Sequence, residues 1–284
     1  MRDLAEFIMR GPKQAAIVAF VSTLIPMMFW LGAAAIALVT LRQGPQQGMS
    51  TLVWAIIPAL GWWLGMHDPG ALIVLAGALV MATVLRATIS WDATFLAGMT
   101  FSLFVGWMTP LLMPELINTL MEMADEVFRS LAQDAQMEYD EGVQSSFRAM
   151  MVASFAASFF GMALGSICLA RSWQSRLYNP GGWQQEFHQL RMNPKLVFGF
   201  LMLLWLAPAI GLEPILILMV LGIPVILCGL ALVHGVIGRK KLGGQWLFGF
   251  YFLVVMLFPT VLVLLALIAL LDSVIDIRSR IQTA

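Results

Sequence analysis

ILILMVLGIPVILCGLALVHGVI, residues 215–237, carries no Asp, Glu, Lys or Arg and one histidine, His234. A hydrocarbon layer of ~30 Å takes ~20 helical residues to cross, so this block is long enough to span a bilayer. Similar blocks occur along the whole chain: 14–41 with Pro26 inside, 50–66, 71–85, 94–113, 147–170, 196–211, and 246–271 with Pro259 inside. The 284 residues are 60% hydrophobic and only 11% charged, against about 25% charged in soluble domains. Too few charges remain to cover a water-exposed surface, so lipid is the expected solvent for most side chains. The expected fold is all-α, a polytopic transmembrane helical bundle of about 8 to 10 hydrophobic segments. Pro-broken hairpins stand at both ends, and one acidic amphipathic helix lies outside the membrane.

Charge placement fixes the expected topology. If the end blocks fold back at Pro26 and Pro259, one face collects fourteen basic residues, from Arg2, Arg10 and Lys13 to Arg278 and Arg280. The other face keeps Arg129 and Arg148. Basic residues near span ends mark the cytoplasmic side, so both termini are expected there. The segment 1–13 lacks a small-x-small cleavage site and is expected to be retained. Whether the two end blocks cross twice, re-enter or cross once stays open at this level.

Two stretches read as helices outside the apolar blocks. Residues 114–142 place Leu116, Ile117, Leu120, Ala124, Val127, Phe128 and Leu131 at helical spacing. They also hold half of the acids in the chain, among them Glu122, Asp125 and Glu126. Such a helix either covers the mouth of the bundle, meets a protein partner, or is a solvated connector. Residues 171–194 form a basic amphipathic connector in which Trp183, Phe187 and Leu190 share one face, as expected at a cytoplasmic membrane surface.

Chemistry-bearing residues are sparse. Trp62, Trp63, His67 and Asp68 gather at one hairpin tip. They are either a rim that captures a small molecule or an aromatic belt, which needs no ligand. Arg42, Arg86, Asp272, Asp276 and Arg278 are candidates for a cytoplasmic polar cluster. Asp272 and Asp276 sit on one helical face, able to pair with Arg42 or Arg86 or to stay solvated. Small-residue pairs such as Ala15 and Ala19 permit close helix approach, inside the bundle or onto another membrane protein. Cys168 and Cys228 read as small core side chains, Glu213 as a turn carboxylate and His234 as an interfacial histidine. No catalytic set, metal-ligand spacing or phosphate loop is present, so catalytic and metal residues are read as none, no cofactor is implied, and nothing points to nucleic acid.

The opening hairpin around Pro26, followed by Leu41-Arg42-x-Gly44 and Gly48, resembles the start of the YybS-like predicted membrane proteins. The ending Leu270-Leu271-Asp272 with Asp276-x-Arg278 is similar to the end of that family; the acidic stretch 114–142 has no counterpart in it. The resemblance implies a bacterial cytoplasmic (inner) membrane protein with no established activity. Its hairpins are reminiscent of the substrate-capture subunits of energy-coupling-factor transporters, in which small-residue faces such as Ala15 and Ala19 would dock a membrane partner. The expected function is therefore a non-enzymatic small-molecule binding or transport subunit whose ligand is unknown, with a sealed pocket beneath the acidic helix. The alternative is a structural or regulatory component of a cell-envelope complex.

Overall fold

The computed structural model describes residues 2–135 and 141–280, and among them there is no strand. A short amphipathic helix α1 (Arg2–Met9) precedes α2 (Pro12–Leu24) and α3 (Phe29–Gln43), then α4 (Pro45–Met66), α5 (Gly70–Thr88) and α6 (Trp91–Leu112). Next come α7 (Pro114–Ala135), α8 (Glu141–Tyr178), α9 (Gly182–Gln189) and α10 (Pro194–Leu206), the last continued by a 3-10 turn (Ala207–Ile210). The chain closes with α11 (Pro214–Arg239), α12 (Gly244–Met256), α13 (Thr260–Ile275) and α14 (Ile277–Arg280).

Five of these helices, α4, α5, α6, α8 and α11, are long and apolar enough to cross a membrane. A sixth span results if α9 and α10 with its 3-10 turn, bent by 52°, count as one. The described residues thus stop short of the 8 to 10 segments expected from hydropathy. The reason is length. The apolar helices α3, α12 and α13 have 15, 13 and 16 residues, about 20–24 Å at the helical rise, below the thickness of the hydrocarbon layer.

Both end blocks do fold back. At the first, Met27 takes a left-handed φ of 61° just after Pro26, and Gly32 of α3 lies against Ala19 and Thr23 of α2. At the second, Pro259 opens α13, whose C-terminal end returns to that of α11: Arg239 donates to the Arg278 carbonyl. The molecule consequently has a basic end and an acidic end. At the basic end meet the starts of α2, α4, α6, α10 and α12 and the ends of α3, α5, α8, α11 and α13. At the other, the turns α4–α5 and α10–α11 lie near the base of α7.

Helix α3 is the axis of the N-terminal half. Every residue from Gly32 to Leu41 is buried, and four of them are alanine. Lipid offers no hydrophobic drive to pair apolar helices, so close packing of small residues has to supply the association. Gly48 of α4 meets that axis: a Cβ there would lie 1.9 Å from Thr40 Oγ1. The Thr40 hydroxyl, buried on the same face, donates to the Ile36 carbonyl at 2.7 Å, which leaves no polar group unsatisfied at that contact.

Helix α7 is described from Pro114 to Ala135, and residues 141–142 of the expected 114–142 belong to α8; the positions between, Glu138 and Asp140 among them, lie outside the described residues. Helix α8 is in turn longer than its apolar core of 147–170. It runs for 38 residues, about 57 Å, and takes in Arg171 to Tyr178 of the basic connector at its far end. Of that connector, the turn 179–181, α9 and the four residues after it remain outside α8 and α10.

Candidate functional site

The expected rim at the α4–α5 turn is built as a brace. Trp62 Nε1 donates to the Thr23 carbonyl of α2 at 2.9 Å, and Trp63 Nε1 donates to the Leu112 carbonyl of α6 at 3.2 Å. Both acceptors lie in the last turns of their helices, where carbonyls lack an intrahelical partner. Asp68 accepts from the Gly70 amide at 2.8 Å and so starts α5. His67, at φ 55°, closes α4 and stands 3.2 Å from Glu115 of α7. The four residues are neighbours, yet each serves a different junction.

Ala15 and Ala19 are not a free docking face. Both are buried, 1% and 0% exposed, because α2 packs them into its contacts with α3 and α4. The other docking candidates do lie outside the bundle. Asp125 is within 3.4 Å of Arg129 and accepts from Gln144 at 3.1 Å, and Phe128 packs edge-on against Phe147. These contacts lay α7 along the first turns of α8. Glu122 and Glu126 are exposed, as are Met123, Val127 and Leu131.

The basic end holds the densest polar assembly, and only part of it was foreseen. Asp272 does not pair with Arg42 or Arg86; it pairs with Arg278 at 3.1 Å, and both side chains are buried. Asp276, at φ 53°, turns the chain so that Arg278 comes back over the end of α13. Arg278 then donates to the carbonyls of His188 at 2.6 Å, Leu190 at 2.7 Å and Cys228 at 3.3 Å. Burial lowers its pKa below that of an ordinary arginine, and the Asp272 carboxylate opposes that shift. Asp276 itself pairs with Arg191 at 3.1 Å. Arg42 instead stacks over the Tyr178 ring, 4.2 Å from its centroid, and Arg86 donates to the Leu41 carbonyl. The expected single cluster is therefore two separate arrangements.

Beside Arg86 lies a cavity of about 730 Å³. Helix α9 roofs it, fixed from both sides through Glu186. Trp91 Nε1 donates to Glu186 at 2.6 Å, and Arg171 pairs with the same carboxylate. A row of rings from Trp91 through Trp183 and Phe187 to His234 and Tyr251 packs α9 onto α6, α11 and α12. Gly235 lets the end of α9 approach, since a Cβ there would meet the His188 carbonyl at 2.7 Å. Leu41, Leu85 and Ile89 supply the apolar lining, and Gln174, Asn179, Gln185 and Gln189 supply amides. With Arg171 neutralised by Glu186, Arg86 is left as the net charge of the lining. Such a site offers hydrogen bonds in both senses and one positive charge to a small polar anion.

One sequence signal for this site was available. Glu186 is the one acidic residue between Gly142 and Glu213, set among four basic neighbours. At the acidic end, Glu213 and Arg148 share a smaller cleft of about 350 Å³ beside Trp107. None of Trp62, Trp63, His67 or Asp68 lines either cavity. Among the described residues no three His, Cys, Asp or Glu side chains come together as metal ligands, and Cys168 and Cys228 are free thiols. No family model, no curated protein and no solved structure matches the chain.

Proposed function

We propose that the chain is a membrane-embedded binding subunit without an energy source or catalytic chemistry of its own, and that its ligand is a small polar anion. The observation that carries this reading is the cavity at the basic end, roofed by α9 and lined by Arg86 and four side-chain amides. Its volume lies in the ordinary range for small-molecule sites. The site moves from the outer rim foreseen in the sequence to the opposite end of the bundle. By the positive-inside rule that end faces the cytoplasm of a bacterial inner membrane, with both termini on the same side. Membership of the YybS-like group, carried by the residues around Pro26 and after Leu270, is part of the same proposal.

A second reading, a docking component of an envelope complex, draws on a different observation. Met123, Val127 and Leu131 of α7 are more than half exposed and recur every four residues beside Glu122 and Glu126, an uncovered apolar stripe on an acidic helix.

Native mass spectrometry of the protein purified in mild detergent separates the two. The first reading expects a stoichiometric small molecule that is lost on Arg86→Leu and retained on Met123→Glu. A stoichiometric protein lost on Met123→Glu, with no small molecule bound, would replace it with the second. Orientation has its own test: an impermeant thiol reagent added outside intact cells should label Ser130→Cys and leave Arg176→Cys unmodified.

A further inference from the structure

A groove of about 580 Å³ lies on the outside of the bundle, between α2 and α4. Its walls are Ala16, Ile17, Phe20 and Val21 on one side and Trp54 on the other, with Lys13 and Ser50 at the basic end. Ile17, Val21 and Trp54 are each about half exposed, so the groove opens toward the surroundings of the bundle and not into its interior. It exists because Ala16 is small where Phe20, one turn along α2, and Trp54, across on α4, are large. From Lys13 to Val21 it runs about 12 Å along α2, close to the depth of one leaflet in a layer of ~30 Å. The charge is confined to one mouth. No acid lines the groove, Lys13 forms no ion pair among the described residues, and Glu6, in the preceding helix, is occupied by Arg2 at 2.8 Å.

We propose that this groove binds one anionic phospholipid, with an acyl chain along Ala16, Ile17 and Phe20 and the headgroup phosphate against the Lys13 ammonium and the Ser50 hydroxyl. The apolar walls alone would accept any lipid, and Lys13 confers the preference for negative charge. The site is independent of the basic-end cavity, and either can fail without the other.

The test uses the full chain, stripped of native lipid and reconstituted with an equimolar mixture of phosphatidylglycerol and phosphatidylcholine of matched chains. Lipid that stays bound is counted by native mass spectrometry. The expected result is roughly five-fold enrichment of phosphatidylglycerol, the worth of one basic side chain at an anionic surface. Lys13→Arg should keep that enrichment. Lys13→Glu should remove it while a lipid still binds, and Ala16→Trp, which fills the groove, should remove the bound lipid of either kind. Circular dichroism and the melting temperature of each variant establish that it is folded. Equal retention of the two lipids, enrichment that survives Lys13→Glu, or lipid that remains on a folded Ala16→Trp protein would each overturn the proposal.

Discussion

The two proline-turned hairpins at the ends of the chain are both apolar, the second more so, and are held in opposite ways. In the first, α3 is buried along nearly its whole length, and alanines at 33, 34, 35 and 37 let its neighbours reach its backbone. In the second, α12 has no buried residue at all; Phe248, Phe252 and Val255 point away from the protein. Hydropathy alone does not say which one packs in protein, because lipid is as apolar as a protein core. Side-chain volume does. Small residues mark the helix that other helices approach, and large ones mark the helix that meets lipid. The second hairpin is anchored instead by one inner face of α13 on α11 and by the Asp272–Arg278 pair beneath it.

The sharpest way to break this comparison is to remove the anchor. Arg278→Ala leaves Asp272 buried without its partner, a change that costs about 3–5 kcal/mol where such pairs have been opened. The loss should appear as a lower melting temperature in detergent and as new proteolysis after residue 243. The double variant Asp272→Leu with Arg278→Met should recover much of it. A single variant as stable as the parent would show that packing, not the latch, holds the second hairpin.

Next in size is a matched pair of substitutions, one on each hairpin's side of the contrast. Gly48→Val drives side-chain atoms into Thr40 and should cost about 1–3 kcal/mol by overpacking. Phe252→Ala on α12 should stay within about 0.5 kcal/mol, as for other residues without protein partners. Equal costs, measured by unfolding in the same detergent, would erase the distinction between the two helices.

The smallest effect concerns the end of α9, which both hairpins leave to the basic surface. Burial holds the His188 pKa below its ordinary 6.5, and His234 and then Arg278 push it the same way. The folded state therefore binds fewer protons than the unfolded one near that pH, so the contribution of neutral His188 is complete above 6.5 and declines as pH falls below it. Amide protection across residues 182–190, taken relative to the intrinsic exchange rate at each pH, should fall on acidification from about pH 7.5 to about pH 5.5, in keeping with that linkage. His188→Gln should flatten the dependence. An unchanged slope would assign it elsewhere.

Much of the architecture was legible because apolar blocks and their prolines are directly visible. The turns at Pro26 and Pro259 and the acidic helix beginning at Pro114 are where the sequence puts them. The true length of α8 was not legible, since the polar residues 171–178 continue a helix that hydropathy sees as ending. The Asp272–Arg278 pair was hidden for a different reason. Helical spacing joins Asp272 to Asp276, whereas the left-handed backbone at Asp276 reverses the chain and brings residues six apart into contact. Ala15 and Ala19 carried the right signal, close approach, but a spacing pattern does not say whether the approaching helix belongs to the same chain. The basic-end cavity depends on where α9 lands, and only the isolated Glu186 hinted at that.

Helix α8 has a mechanical consequence. It contains no proline, and it touches α7 at one extremity through Phe147 and the roof of the cavity at the other through Arg171. A rod of about 57 Å that tilts by about 5° carries one end roughly 5 Å past the other. The fold therefore contains one continuous helix whose two ends lie on opposite sides of the bundle, joining the acidic helix to the wall of the cavity.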